Sequence, residues 1–240
     1  RSLNKEKKEQ INFNTEHMKK ILKTIKKLNT TCFKENIMKE SIDIFYNQKE
    51  SKKFLEGLDA NIHLIGFDNG IYDLREVGKK NGNPFRNGVP EDMVTMNTGI
   101  DYIPYEEVEG TKEEAEIEDF LDQVFVNKEI KEYVMTHLAS ILSGSTKSER
   151  FHFWSGSGGN GKSKLIELLG LALGDYYCNL PVSLLTQKRG KSNEANPDLA
   201  ITKGRRLAVL QEPEGGSKIN GGILKELTGG DKITARELYK

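Results

Sequence analysis

The first sixty residues carry apolar side chains at helical spacing. Between Thr15 and Asn29 an apolar residue recurs every three or four positions, which predicts an amphipathic helix. A second helix is predicted through Ile37–Phe45, and the first ten residues are predicted to be a frayed lead-in. The intervening lysines fit a solvated helix face, which we favour over a DNA-facing surface; they are Lys19, Lys20, Lys23, Lys26 and Lys27.

Residues 61–110 show short apolar runs separated by turn residues. The run His63–Phe67, the turn Asp68-Asn69-Gly70 and the run Ile71–Leu74 together predict a β-hairpin. Asn81–Pro90 is rich in Gly, Asn and Pro, which predicts a loop. Met93–Ile103 is predicted to add further extended structure.

Helical periodicity returns in residues 111–146. Thr111 and Glu114 have the spacing of a capping box, and an apolar stripe on one helix face follows them. Lys128–Leu142 predicts a second helix, which Gly144 ends. The glutamates that begin the first helix suit its positive end better than a metal site, because adjacent carboxylates on a helix point in several directions.

The last part of the chain alternates strand and helix. Strands are predicted at Arg150–Trp154, Arg206–Leu210 and Ile233–Tyr239, and a helix at Lys162–Leu173. This alternation predicts an α/β fold: a parallel-sheet core, preceded by a mixed α+β and largely helical region. We divide the chain into a basic helical region (1–60), a small β-containing region (61–110), a helical collar or linker (111–146) and the core (147–240).

The net charge of the chain is zero, but its three segments differ in net charge. The 240 residues include 36 Lys and Arg and 36 Asp and Glu, and a net charge of zero taken alone argues against a basic nucleic-acid wrapper. Residues 1–60 nevertheless carry +5, residues 61–150 carry −9 and residues 151–240 carry +4. The neutral total therefore does not exclude a nucleic-acid partner.

Other compositional features narrow the class of protein. The two cysteines, Cys32 and Cys178, are far apart and support neither a disulfide framework nor a zinc site. The four histidines lack metal-ligand spacing, and His137 and Trp154 are interpreted as structural. We expect no membrane span and no secretion signal, and the missing initiator Met suggests a fragment.

One motif carries recognisable chemistry. Gly156-Ser157-Gly158-Gly159-Asn160-Gly161-Lys162-Ser163 fits the phosphate-binding pattern G-x-x-x-x-G-K-[ST], between a predicted strand and a predicted helix. Glycines let successive backbone N–H groups point at phosphate oxygens, and the helix N-terminus adds partial positive charge. Lys162 is predicted to reach the β- and γ-phosphates of ATP, Ser163 to ligate Mg²⁺, and Lys164 to adjoin the site.

An ATPase also needs a carboxylate near the γ-phosphate. Gln211-Glu212-Pro213-Glu214 follows the predicted strand Arg206–Leu210, at the edge of the sheet where ligands of α/β proteins bind. Glu212 is the candidate that orients or deprotonates the attacking water, with Mg²⁺ nearby, and Glu214 is a supporting candidate. An acidic surface loop is the simpler alternative.

Residues 55–240 resemble the primase-helicases of poxviruses and other large DNA viruses, within helicase superfamily 3. Besides the phosphate-binding loop, the residues that carry this resemblance are Gly66–Leu74, Pro90-Glu91-Asp92, Asn196–Ala200, Gly204-Arg205-Arg206, Gln211–Glu214 and Leu224–Arg236. The resemblance implies an AAA+-type ATPase ring, usually hexameric, that translocates on single-stranded DNA. It also implies that ATP lies between subunits and that a neighbour supplies an arginine finger.

In such rings a hairpin loop from each subunit grips DNA in the pore. Here that loop would follow Ile233–Tyr239, with Lys240 near its tip. Lys225, Lys232 and Arg236 lie on the same stretch. For Lys232 and Arg236 a solvent-facing or inter-subunit ion pair fits equally well.

The sequence departs from the family pattern at two places. Gln211 replaces the first of two acids, and a neutral amide is a weaker magnesium ligand, so Glu212 is expected to serve both roles. The sensor asparagine and the arginine finger are expected beyond Lys240, so this chain should bind nucleotide more readily than it hydrolyses it.

We therefore predict an intracellular ATP-dependent DNA helicase of a viral, phage or plasmid primase-helicase, which uses ATP and Mg²⁺ and forms a homo-oligomeric ring on single-stranded DNA. The alternative is a phosphotransferase or a DNA-packaging motor. A phosphotransferase would need a basic lid such as Lys188-Arg189-Gly190-Lys191, which is more typical of a flexible loop. Residues 1–150 would fit a collar without enzymatic activity, which is compatible with the helicase.

Overall fold

The structure, a computed structural model, describes residues 2–46, 49–186, 197–212, 215, 218–230 and 235. The chain divides into two compact units, residues 1–56 and 57–240. The described part of the chain is mixed α/β, with mostly helices and two small sheets, which confirms the α/β class in this general form. The domain boundaries at residues 60, 110 and 146 stay predictions.

The first unit is helical. Helix α1 spans Ser2–Leu28, α2 spans Thr31–Tyr46, and α3 spans Lys49–Gly57. The two predicted helices are confirmed, but the frayed lead-in is wrong because α1 already begins at Ser2. Lysine and glutamate make up residues 5–9 and have high helix propensity, and a helix once nucleated extends cooperatively.

A small antiparallel sheet begins the second unit. Strands β1 (Leu64–Phe67) and β2 (Gly70–Asp73) form the predicted hairpin, in register from Leu64 opposite Asp73 to Phe67 opposite Gly70. The predicted loop contains one short strand, β3 (Phe85–Arg86), which pairs with β2. Residues 93–103, all of which the structure describes, contain no strand, although the Thr98 N–H donates to the Gly66 carbonyl at 3.0 Å.

Three helices follow the sheet: α4 (Tyr105–Val108), α5 (Lys112–Val124) and α6 (Lys128–Ile141). The predicted capping box at α5 is half formed. The Glu114 N–H donates to the Thr111 hydroxyl at 3.3 Å, but the Glu114 carboxylate accepts from the Gly110 N–H at 2.6 Å. Asn127 caps α6, and the Gly144 N–H donates to the Ile141 carbonyl as the helix ends.

A second, parallel sheet lies near the end of the described chain. Its strands are β4 (Tyr177–Leu180) and β5 (Leu207–Leu210), paired from Tyr177 opposite Leu207 to Leu180 opposite Leu210. The sequence predicted β5 but not β4. The remaining helices are α7 (Lys162–Leu173), α8 (Ser183–Thr186), α9 (Pro197–Ala200) and α10 (Gly221–Thr228).

The predicted strand Arg150–Trp154 is wrong, since this described segment joins neither sheet. Its aromatic side chains contact each other and a helix instead of a strand. The Phe151 and Phe153 rings meet edge to face at 4.8 Å, and His152 stacks on His137 of α6. The predicted strand Ile233–Tyr239 lies outside the described residues apart from Ala235.

The two sheets share one packed core around Tyr176. Its ring is buried with Ile65 of β1 and Leu173 of α7. Its hydroxyl accepts a hydrogen bond from the Gly66 N–H at 2.8 Å and donates to the Met96 carbonyl at 3.0 Å. The hairpin and the α7 segment are therefore one structural body.

Arg206, immediately before β5, joins the same parts through its guanidinium. The side chain donates to the carbonyls of Ile62, Leu142 and Leu64 at 2.6, 2.7 and 2.9 Å. It also lies 5.4 Å from the Tyr176 ring centroid, in cation–π geometry. One arginine thus connects the start of the hairpin, the end of α6 and the parallel sheet.

Of the helices that the structure describes, none has the length and apolarity that a crossing of the lipid bilayer requires.

Candidate nucleotide-binding site

The predicted phosphate-binding loop, residues 156–163, leads directly into α7, as the sequence predicts. Gly159 and Gly161 have φ angles of +77° and +81°, which side chains with a Cβ rarely adopt. Gly161 is the N-cap of α7, and the Leu165 N–H donates to its carbonyl at 2.9 Å as the first bond of the helix. The backbone N–H groups of the first turn of α7, before Leu165, have no carbonyl of the helix as partner. Free N–H groups at the start of a helix are typical anion-binding groups.

Lys162 spans the loop from its end to its beginning. Its ammonium donates to the Asn160 side-chain oxygen at 2.6 Å and to the Gly156 carbonyl at 3.5 Å. A Cβ added to Gly156 would overlap the Asn160 amide and lie 3.3 Å from the Lys162 ammonium. Gly156, Asn160 and Lys162 are therefore in direct contact, and the motif forms one compact loop.

The next two predicted residues lie on the exposed face of α7. Ser163 is exposed in the first turn, so its hydroxyl is accessible to a ligand at the loop. Lys164 forms an ion pair with Glu167 at 2.8 Å, and this pairing raises the pKa of Lys164. Since Lys164 is engaged with Glu167, its role at the nucleotide stays a prediction.

Glu212 is two residues past the last residue of β5 and is exposed. This is the carboxyl end of a parallel strand, as expected for a residue at a ligand site of an α/β sheet. Among the described residues, no hydrogen bond or ion pair joins Glu212 to the loop. Its catalytic and magnesium roles stay predictions, and Glu214 lies outside the described residues.

The predicted DNA-contacting residues are described only in part. Lys225 is exposed on α10. Lys232, Arg236 and Lys240 lie outside the described residues, as does the segment Lys188–Lys191 that a phosphotransferase lid would use.

The sequence did not predict that α5 and α6 contact the loop region. Val124, the last residue of α5, lies against Gly161, and the stacked rings of His137 and His152 connect α6 to the segment before the loop. These pairs are 37 and 15 residues apart in the chain, so no local pattern indicates them. The one available signal is the motif glycine itself, which marks a position where another part of the chain can approach closely.

A stacked pair of histidines, His137 and His152, lies beside the segment that precedes the loop. The rings of His137 and His152 stack with centroids 3.6 Å apart, and the Tyr133 hydroxyl lies 3.2 Å from His152 Nε2. Burial lowers the pKa of His137, and the positive charges of His152 and Arg150 lower it further. The neutral imidazole is therefore favoured in the folded protein.

We expect the free energy of unfolding to fall as the pH decreases below about 6.5, the unfolded value for histidine. As the pH decreases, the unfolded chain takes up a proton at His137 before the folded chain does. The free energy of unfolding therefore decreases from about pH 6.5 down to the lowered pKa of His137 in the folded protein, and this decrease is absent well above pH 6.5. Denaturant titrations at several values between about pH 8 and pH 5 measure how the free energy of unfolding depends on pH. His137→Leu should flatten this slope, and equal slopes in the parent and in His137→Leu would contradict the assignment.

Comparison with known proteins places the chain in a family. The family model described as "D5 N terminal like" matches residues 1–126, more than half of the 240 residues. The chain belongs to the D5 N-terminal-like family. The matched residues include all of α5 and end before the phosphate-binding loop, which begins at Gly156.

The proteins similar to this chain include several from large DNA viruses. "Putative helicase L207/L206" of Acanthamoeba polyphaga mimivirus is 44% identical over 220 residues, covering 92% of this chain and 22% of that protein. "Putative primase C962R" of African swine fever virus is 28% identical over 228 residues, covering 92% and 23%. "Putative helicase 022R" of Frog virus 3 is 25% identical over 281 residues, covering 92% and 28%.

The chain thus spans about a quarter of the length of these curated relatives. The resemblance to primase-helicases of large DNA viruses is confirmed by the family match and by these relatives.

Proposed function

We propose that the chain is the ATP-dependent helicase part of a primase-helicase that replicates the DNA of a large virus. The observation that carries this proposal is the loop with the phosphate-binding pattern, in which Lys162, at the start of α7, donates a hydrogen bond to the Asn160 side chain of the same loop. It occurs in a D5 N-terminal-like chain whose relatives are named helicases and primases. In this proposal the core is of the AAA+ type, and the protein assembles as a hexameric ring on single-stranded DNA.

The residues of the loop suit ATP and Mg²⁺. Backbone N–H groups of the loop and of the first turn of α7 hold the β- and γ-phosphates, and Lys162 places its charge on the γ-phosphate. Mg²⁺ neutralises charge on the phosphates when it is bound. The Ser163 hydroxyl fits as its protein ligand, because Mg²⁺ takes oxygen ligands and keeps several waters. Glu212 orients the attacking water and accepts its proton. The water oxygen bonds to the γ-phosphorus, the bond to the β–γ bridging oxygen breaks, and ADP and inorganic phosphate are the products.

Basic residues of the core contact DNA phosphates. Lys225 on the exposed side of α10 is the contact residue within the described chain. Residues 151–240 carry a net charge of +4, and a ring repeats that charge in every subunit. A neutral chain can therefore line a positive channel, in which contacts to the phosphate backbone do not depend on sequence.

We expect single-stranded DNA to stimulate ATP hydrolysis severalfold, because occupancy of the pore is coupled to the site between subunits. Phosphate release by the full-length protein, with and without single-stranded DNA, measures this. The DNA concentration for half-stimulation should rise steeply between about 50 and 200 mM salt, as phosphate contacts require. A blunt duplex of the same length is the control and should stimulate much less. A hydrolysis rate indifferent to single-stranded DNA would count against the helicase.

A further inference from the structure

The end of α5 packs directly under the phosphate-binding loop. A Cβ placed on Gly161 would lie only 2.5 Å from Val124 Cγ2 and 3.8 Å from Phe120 Cε2. A contact of 2.5 Å is closer than carbon atoms tolerate, so a methyl group of Val124 occupies the space that a side chain at Gly161 would need. Phe120 and Val124 are four residues apart and share one face of α5.

Gly161 is the residue from which the phosphate-binding groups of α7 extend. It is the N-cap of the helix, Lys162 follows it, and the first free backbone N–H groups come next. A shift of Gly161 would therefore move the lysine and these N–H groups together. Glycine restricts its own backbone least of all residues, so the loop depends on its neighbours for a fixed position.

A second contact holds the other side of the loop to α6. His152 precedes Gly156 by four residues, stacks on His137 and lies within hydrogen-bonding distance of the Tyr133 hydroxyl. Both flanks of the loop therefore rest on consecutive helices, α5 and α6, that lie outside the predicted core.

We propose that Val124 is a positioning residue for the nucleotide: through Gly161 it fixes the phosphate-binding loop in the conformation that ATP requires. This proposal rests on the nucleotide-binding function proposed above. Val124 lies within the residues matched by the D5 N-terminal-like model, so this region contributes to the nucleotide site as well as preceding it. A preformed loop binds more tightly because the ligand does not have to order it.

The test compares nucleotide affinity with stability in matched variants. Val124→Ala removes the methyl groups that contact Gly161 and should weaken Mg²⁺–ADP binding about tenfold, a size typical when a supporting contact is lost at a reactive site. Titration with a fluorescent ADP derivative gives the dissociation constant, and thermal unfolding gives the stability. Val124→Ile adds a methyl group against the loop and should also weaken binding, which provides a second variant if Val124→Ala folds poorly.

Two controls make the same deletion elsewhere. Val94→Ala alters a half-buried valine that packs near Gly66 of the hairpin, and it should lower the unfolding temperature without changing the dissociation constant. Val126→Ala alters a side chain that is 88% exposed, two residues beyond Val124, and should change neither quantity.

The outcomes separate this proposal from the proposed function. Loss of affinity in Val124→Ala and Val124→Ile, but not in the controls, supports the positioning role. If Lys162→Ala abolishes binding while the Val124 variants bind like Val94→Ala, the positioning role is wrong and the nucleotide site stands. If the parent chain and Lys162→Ala bind equally, or neither binds, the proposed function itself is wrong.

Discussion

Replacing Lys162 by alanine is expected to reduce ATP hydrolysis by at least about a hundredfold, because a preorganised positive group is lost where negative charge develops. The ammonium already lies over the loop, 2.6 Å from the Asn160 side-chain oxygen and 3.5 Å from the Gly156 carbonyl. A phosphate oxygen bound in the loop can replace these partners with little movement of the chain. Steady-state phosphate release by the full-length protein in the presence of single-stranded DNA measures the effect.

Two further variants define what the lysine contributes. Lys162→Arg keeps the charge but replaces a compact ammonium by a longer planar group, so it should not restore turnover. Lys112→Ala removes an exposed lysine on α5 that pairs with Glu116, and it should leave turnover unchanged. Turnover near the parent value in Lys162→Ala would refute the assignment of the loop.

Elements with strong local signals were predicted from the sequence. The Asp68-Asn69-Gly70 turn defines the hairpin, and the apolar stripes define α5 and α6. At the loop, the motif predicted the start of α7 at Lys162. In each case the physical cause lies within a few consecutive residues: a turn that only certain residues adopt, or one face of a helix.

Features that depend on distant residues were not predicted correctly. Arg150–Trp154 has the apolar and aromatic composition of a strand, yet its side chains contact α6 and each other. Strand β4 was missed because Tyr177–Leu180 is short and its pairing with β5 joins residues 30 positions apart. The contact of Val124 with Gly161 belongs to the same class, since it is determined by packing that no local pattern encodes.

Arg206 shows how a motif residue can have a role that its position in the sequence does not reveal. The Gly204-Arg205-Arg206 segment contributes to the family resemblance, but the sequence pattern assigns Arg206 no individual role. In the structure the Arg206 guanidinium donates hydrogen bonds to the backbone carbonyls of Ile62, Leu64 and Leu142. Burial lowers the pKa of this side chain, but arginine stays charged at any physiological pH.

We therefore expect Arg206→Lys to lower the free energy of unfolding by about 3 kcal/mol, because carbonyls left without a charged donor lose hydrogen bonds worth about 1.5–3 kcal/mol each and lysine recovers part of them. The lysine ammonium is a single point at the end of a flexible chain and cannot reach three carbonyls on two separate segments as a planar guanidinium does. A loss of this size lowers the unfolding temperature by about 6–12 °C in a protein of this length.

Arg205→Lys is the matched control for this prediction. The Arg205 side chain donates to one carbonyl, that of Ile201, four residues before it in the chain, so its loss should cost less than about 1 kcal/mol. Chemical denaturation of both variants gives the comparison, and ADP titration shows whether each folded variant still binds nucleotide. Equal losses in the two variants would show that Arg206 does not hold the hairpin, α6 and the parallel sheet together. A large loss in Arg206→Lys alone, with nucleotide binding retained below the unfolding transition, would establish a structural role for this arginine within the motif.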